Sequence, residues 1–281
     1  MKRLLTYLLH FGCAACLLLS SADAAPKLEE LYLGSVAMDV PAAMVDRLAP
    51  LTAYLSKKSG IKVSFRGSSS LDSAVNSLGN NFTQIAYLTP VAYIEAQQKF
   101  MIQPLVSPLT YGKTSFNLVV AVHQDSRIQT LADLNGKSFA LGDEKALLQR
   151  AVMVNGGIHL NQFSRFGFLK HYDNIAKAIL NRDFDAGILK DTIYEKFALQ
   201  GLRVIYTSPA LPPYLFAVNK KISPQTVSKL RAAFLSLKSD TEDGRMILSQ
   251  LDQGYDGFVV AQDQDYDGVR KLIAPFQKSA Q

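Results

Sequence analysis

The chain has 281 residues, of which 48% are hydrophobic and 19% charged, and its formal net charge is +6. That composition is enough for a substantial core in one or two domains and excludes a disordered or low-complexity chain. The 30 Lys and Arg residues are interspersed with 24 Asp and Glu, and no basic stripe interleaved with aromatics points to nucleic acid.

Residues 1–24 read as a secretory signal peptide. Lys2-Arg3 form the positive start, Leu4–Leu19 is mostly apolar, and Ala22-Asp23-Ala24 is a small-x-small cleavage site. The apolar part is too short for a stable membrane span. Both cysteines, Cys13 and Cys16, lie inside it, so the cleaved chain would have no disulfide, thiolate metal site or cysteine nucleophile. Leu17-Leu18-Leu19 after Cys16 suits a signal-peptide core better than a lipid-attachment box, so no lipid anchor is expected.

Leu31–Val36 reads as a strand with Ser35 and the Met38-Asp39-Val40 loop at its C-terminal end. Pro41 opens a helix, and Met44, Leu48, Leu51 and Leu55 give it one apolar face. Pro50 is expected to kink or restart that helix. Ile61–Phe65 is the next strand. The Arg66-Gly67-Ser68-Ser69-Ser70 loop then precedes a helix, where its hydroxyls either hold an oxyanion or simply cap. Gln84–Leu88 is a strand, and Thr89 with Pro90 starts a helix over Val91–Phe100.

Phe116–Val122 is a short apolar run of buried-strand type. Thr130 can cap a one-turn helix at Leu131–Leu134, and Ser138–Leu141 is a strand leading into Gly142-Asp143. A strand tip feeding a helix start is where open α/β sheets place ligands. Phe163–Phe168 is a further strand, after which Asp173 is placed to cap a helix over Ile175–Leu180. Ala186–Leu189 is the next strand, with Lys190 and Asp191 at its tip; either can pair with a charged ligand group, or Asp191 merely caps the following helix. Leu202–Thr207 is a strand, Ser208–Pro213 an extended return, and three helices follow, starting near Ser223, Thr241 and Asp265. Asp263–Gly268 resembles the start of a calcium loop, but Ala274 stands at the twelfth position where a Glu is needed, so a helix cap is preferred.

The run Asp-Ser-x-Ile-x-x-Leu-x-Asp-Leu-x-Gly-Lys at Asp125–Lys137, and the Ile-Ala-x-Leu-x-Pro-x-x-Tyr run ending at Tyr93, resemble type II periplasmic substrate-binding proteins, and among these the phosphate/phosphite/phosphonate type. The resemblance implies an α/β two-lobe fold, with mixed sheets flanked by helices and a ligand cleft between lobes. It divides the chain into a first lobe over 25–117, a second over 118–210, and a return to the first over 211–281. It also implies that Tyr93 and His171 face ligand. Ser35, Ser69, Ser70 and Thr89 from the first lobe, and Asp143 and Asp191 from the second, complete the expected polar set. Tyr111, Phe116 and Tyr214 near the crossings are expected as aromatic walls. One departure matters. The family continues after the second-lobe strand with Asp-Pro-x-Ser-Thr-Ser-Gly, whereas this chain has Gly142-Asp143-Glu144-Lys145-Ala146-Leu147. Carboxylates at that turn repel a phosphate dianion, a cost that grows in a dry cleft.

The implied function is capture of a small anionic or zwitterionic solute in the periplasm, for delivery to an ABC transporter permease or presentation to a membrane sensor. The protein is expected to act as a monomer, with no cofactor, metal or nucleic acid. An enzyme is the alternative, but there is no HExxH, GxSxG or Walker pattern, and His123, His159 and His171 lack ligand spacing.

Overall fold

The computed structural model describes residues 30–36, 41–144 and 147–277. The segment read as a signal peptide, the Met38-Asp39-Val40 loop and Lys145-Ala146 lie outside the described residues. The chain runs through β1 (Glu30–Ser35), α1 (Pro41–Ser59), β2 (Lys62–Phe65), α2 (Leu71–Gly79), β3 (Ile85–Leu88), α3 (Pro90–Phe100) and β4 (Gln103–Thr110). It continues with β5 (Leu118–His123), a one-turn helix at Leu131–Leu134, β6 (Ser138–Leu141), α4 (Leu147–Asn155) and β7 (Arg165–Phe168). Then come α5 (Tyr172–Leu180), β8 (Ala186–Lys190), α6 (Asp191–Ala198) and β9 (Leu202–Thr207). The return is β10 (Leu215–Val218), α7 (Pro224–Leu235), α8 (Glu242–Leu251), β11 (Tyr255–Val260) and α9 (Asp267–Gln277).

Helix starts follow local chemistry. Ser70, Thr89 and Ser223 each accept a hydrogen bond from a backbone N–H three residues on, and Pro90 and Pro224 sit at the first helical position. Two expectations are corrected and one is extended. First, α1 runs unbroken through Pro50. Met44, Leu48, Leu51 and Leu55 are all buried on its inner face. At about 1.5–3 kcal/mol per buried side chain, they outweigh the roughly 3 kcal/mol that an interior proline costs. Second, Thr130 is the N-cap of the one-turn helix and Asp133 completes a capping box with it, its carboxylate accepting from Gln129 N, Thr130 N and Thr130 Oγ1. Third, α5 begins at Tyr172, so Asp173 lies inside it and reaches Lys196 at 2.8 Å instead of capping.

Two sheets result. The first has strand order β11-β4-β10-β3-β1-β2, and the second β7-β6-β8-β5-β9. In the first, β1 is parallel to β2 and β3, while β10 lies antiparallel between β3 and β4. In the second, β6 is parallel to β7 and β8, and β5 is antiparallel to β8 and β9. Strands β4 and β11, which pair with each other, were not anticipated. The Pro104 and Pro108 of β4 argue against an interior strand, yet it sits between β10 and β11, where a register shift accommodates it.

The chain crosses between sheets twice, and the crossings bond to each other. Phe116 N donates to Leu211 O at 2.9 Å, and Leu211 N to Phe116 O at 2.8 Å. One apolar core lies under α1, α7 and α8, and another joins β5 and β8 to α5 and α6. A third is shared by both lobes: Val75 and Tyr93 of the first, Val120 and Val152 of the second, and Val269 and Ile273 of α9. Helix α9 packs against both α4 and α3, so the C-terminal segment bridges the lobes.

Candidate ligand cleft

The four residues before Lys190 in β8 are buried, and this register places Lys190 opposite Leu118 at the start of β5. The lobes meet there. Asn117 is the stitch: its N–H donates to Asp191 Oδ2 at 2.9 Å, its side-chain amide to Ser208 O at 2.8 Å, and its carbonyl accepts from Asp191 N. Asp191 Oδ1 accepts from Thr192 N. Asp191 therefore engages both carboxylate oxygens at the crossing and the first turn of α6, in line with the second of its two readings, a role at the helix start.

Lys190 is different. Its Nζ lies 4.9 Å from the centre of the Phe116 ring and 5.2 Å from that of Tyr214. Among the described residues no carboxylate closes an ion pair with it. Burial holds the ammonium below its ordinary pKa of 10.5, against the opposing fields of Asp252 and Asp191. Cation–π contact offsets part of that desolvation and leaves the charge unneutralised.

Against Lys190 of the second lobe stands an aromatic wall drawn from the first. Tyr214 is tilted against Tyr87 at 5.5 Å, and Tyr87 stacks on Phe216 at 4.7 Å. The hydroxyls of Tyr87 and Tyr255 bond to each other at 2.5 Å. Burial pushes the phenols of Tyr214 and Tyr255 well up; Asp252 adds to both and Tyr172 to Tyr214. Arg47 of α1 acts on Tyr255 in the opposite direction. In the second lobe, buried Gln149 accepts from Gly142 N at 2.8 Å. A Cβ at Gly142 would meet Gln149 Nε2 at 2.7 Å. A cavity of about 420 Å³ also opens beside the crossings, between Ser107, Ser115, Pro212, Pro213 and Tyr266. It includes neither Lys190 nor the rings around it, so charge and wall chemistry, not empty volume, mark the cleft.

Of the residues expected from the sequence, the structure brings Phe116 and Tyr214 together with Lys190. Tyr93 is corrected: it is fully buried, and its hydroxyl donates to Asp263 Oδ1 at 2.5 Å. Asp263 in turn pairs with Arg270 at 2.5 Å and is the centre of the α3–α9 contact, while exposed Asp265 of the same run caps the turn by accepting from Gln262 N. Among the described residues no group of three or more acidic or histidine side chains converges as a metal site. Ser35 is buried and donates to Val36 O. Ser70 and Thr89 spend their oxygens as helix caps. Ser69 is exposed beside its cap, and Tyr111 is exposed, in the turn after β4. Asp143 is exposed after β6, and His171 is exposed at the start of α5, on the edge-strand side of the second sheet. The sequence reading missed Tyr87, Gln149, Tyr172, Asp252 and Tyr255.

The family model described as "ABC transporter, phosphonate, periplasmic substrate-binding protein" matches residues 33–266. The phosphate-import protein PhnD of Mycolicibacterium smegmatis is 26% identical over 253 residues, covering 79% of this chain and 78% of that protein. The structure of PhnD1 from Prochlorococcus marinus in complex with methylphosphonate superposes with a TM-score of 0.74 at 16% identity, covering 89% of this chain and 99% of that one. A binding-protein component of an ABC phosphonate transporter from Pseudomonas aeruginosa gives 0.69 at 18% identity, covering 87% and 85%. These structures share the type II two-lobe fold, and the relatives are transport binding proteins rather than enzymes. The chain belongs to the family of periplasmic substrate-binding proteins of phosphonate-type ABC transporters.

Proposed function

We propose that the chain is exported to the periplasm, closes its two lobes on a small anionic or zwitterionic solute, and hands that solute to an ABC permease. The observation that supports this reading is Lys190: a desolvated ammonium, held by Phe116 and Tyr214 where the lobes meet, with no carboxylate among the described residues in an ion pair with it. An anion entering the cleft would supply the missing countercharge, and the rings would exclude water from the pair. Catalysis forms no part of the proposal. The crossings support the same view, because Lys190 of the second lobe meets Phe116 and Tyr214 of the first beside them and they are short enough to act as a hinge.

The test is a thermal-shift screen against phosphate, phosphite, phosphonates, sulfonates, amines and thiamine-like compounds. A ligand present at 100 times its dissociation constant stabilises the folded form by about 2.7 kcal/mol, which for a chain of this size is a midpoint rise of roughly 5–10 °C. An anion should raise the midpoint of the wild type and not of Lys190→Met. A shift with cations alone would overturn the reading.

A further inference from the structure

The ligand class can be narrowed, and this step rests on the binding reading of Lys190 just proposed. At the turn after β6, three residues ahead of the positions that match the family's hydroxyl triplet, the amide of Gly142 is already taken by buried Gln149. An anion arriving there finds that donor occupied. On the neighbouring strand of the same sheet, Lys190 at the tip of β8 sits in the fields of Asp252 and Asp191. A first negative charge on the ligand pairs with the ammonium; a second faces those carboxylates, and among the described residues no further cation acts on Lys190 or Tyr214. Arg47 acts on Tyr255 instead. The walls are rings: Phe116 and Tyr214 against the ammonium, and Tyr87 tilted behind Tyr214. Ring faces and edges receive a flat or apolar body well and a strongly hydrated tetrahedral dianion poorly.

We infer that the cleft selects a monoanion carried on a flat or apolar body, of the aromatic or hydrophobic sulfonate and carboxylate kind, over phosphate and small phosphonate dianions. Lys190 is the specificity-determining charge, and Phe116 and Tyr214 form the selecting wall.

The experiment is calorimetric titration of the wild type and Lys190→Met with benzenesulfonate, benzoate, methylphosphonate and inorganic phosphate, at mildly alkaline pH where the last two carry two charges. Methionine keeps the length and apolar stem of lysine, and an unfolding midpoint no lower than that of the wild type shows that the variant folds. Benzenesulfonate or benzoate binding about tenfold or more tighter than both phosphorus compounds, with the binding lost in Lys190→Met, is the expected result. Tighter binding of phosphate or methylphosphonate, still dependent on Lys190, overturns the selectivity and leaves the binding function standing. Binding that ignores Lys190→Met, or no binding by any of the four, overturns both.

Discussion

Replacing Asp263 by alanine tests the contact that joins α3 to α9. In the native protein one carboxylate oxygen accepts from the Tyr93 hydroxyl at 2.5 Å and from Arg270 Nη2 at 2.5 Å. The two bonds differ in worth. Tyr93 is 0% exposed, so without Asp263 its hydroxyl is a buried donor lacking a partner, a loss of about 1.5–3 kcal/mol for a bond to a charged acceptor. The ion pair is more open, with side-chain exposures of 22% for Arg270 and 40% for Asp263, and solvent screening limits it to about 0.5 kcal/mol. Arg270 also keeps its bonds to Asp263 O and Asp267. Asp263→Ala should therefore cost about 2–3 kcal/mol, Asp263→Asn about 1 because an acceptor remains, and Tyr93→Phe about 1 because no donor is stranded. Urea unfolding of the three variants and of the Tyr93→Phe/Asp263→Ala double variant measures the coupling directly. Additive losses, or an Asp263→Ala cost under about 0.5 kcal/mol, would refute the reasoning. The pH dependence has a fixed sign. Burial alone would raise the Asp263 pKa, but Tyr93 and Arg270 bring it below 3.8. The stabilisation is thus present above the unfolded value and is lost as pH falls through the lower folded one.

Lys190 gives an alkaline counterpart. Its folded pKa lies below 10.5, so the unliganded protein gains relative stability as pH rises through that lower value. Anion affinity should fall over the same range, beginning at lower pH than the ~10.4 of a free lysine. Titration across pH checks this, and an affinity flat up to the free-lysine value would refute it. Pro50→Ala restores a backbone donor inside α1 and should stabilise the protein by about 1 kcal/mol or more, read from the unfolding midpoint. Met101 ends α3 at φ 56° with a side chain 60% exposed, so Met101→Gly should gain about 0.5–1 kcal/mol. A loss of stability in either variant would count against the backbone argument behind it.

What the sequence disclosed is the local part of the fold. Thr89-Pro90 and Ser223-Pro224 announce helices because capping chemistry acts within one turn, and Met44, Leu48, Leu51 and Leu55 announce a buried face by spacing alone. What it concealed depends on partners far along the chain. β4 carries two prolines and becomes a strand only because β10 and β11 arrive on either side of it, more than a hundred residues later. Tyr87 and Tyr255 are 168 positions apart, and nothing near either of them signals their hydroxyl pair. Tyr93 illustrates the reverse error. Its motif marks a cleft residue, but α9 and Asp263 arrive 170 positions later and claim its hydroxyl for the interior. Phe116 and Tyr214 were legible because the crossings themselves were.

The bridging position of α9 bears on the order in which the protein is made. Strand β11 completes the first sheet, and Tyr266, Val269 and Ile273 complete the core shared by both lobes. All belong to residues 255–277. A chain that has reached residue 254 can assemble the whole second sheet and all of the first but β11, yet lacks the part of the shared core that α9 supplies. We therefore expect a chain halted at Gly254 to be cut rapidly by protease near Phe116 and Leu211, where the intact protein resists; equal resistance would show that the lobes seal without it. On the expected result, residues 255–277 act as the latch of the two lobes, added after the parts that it fastens.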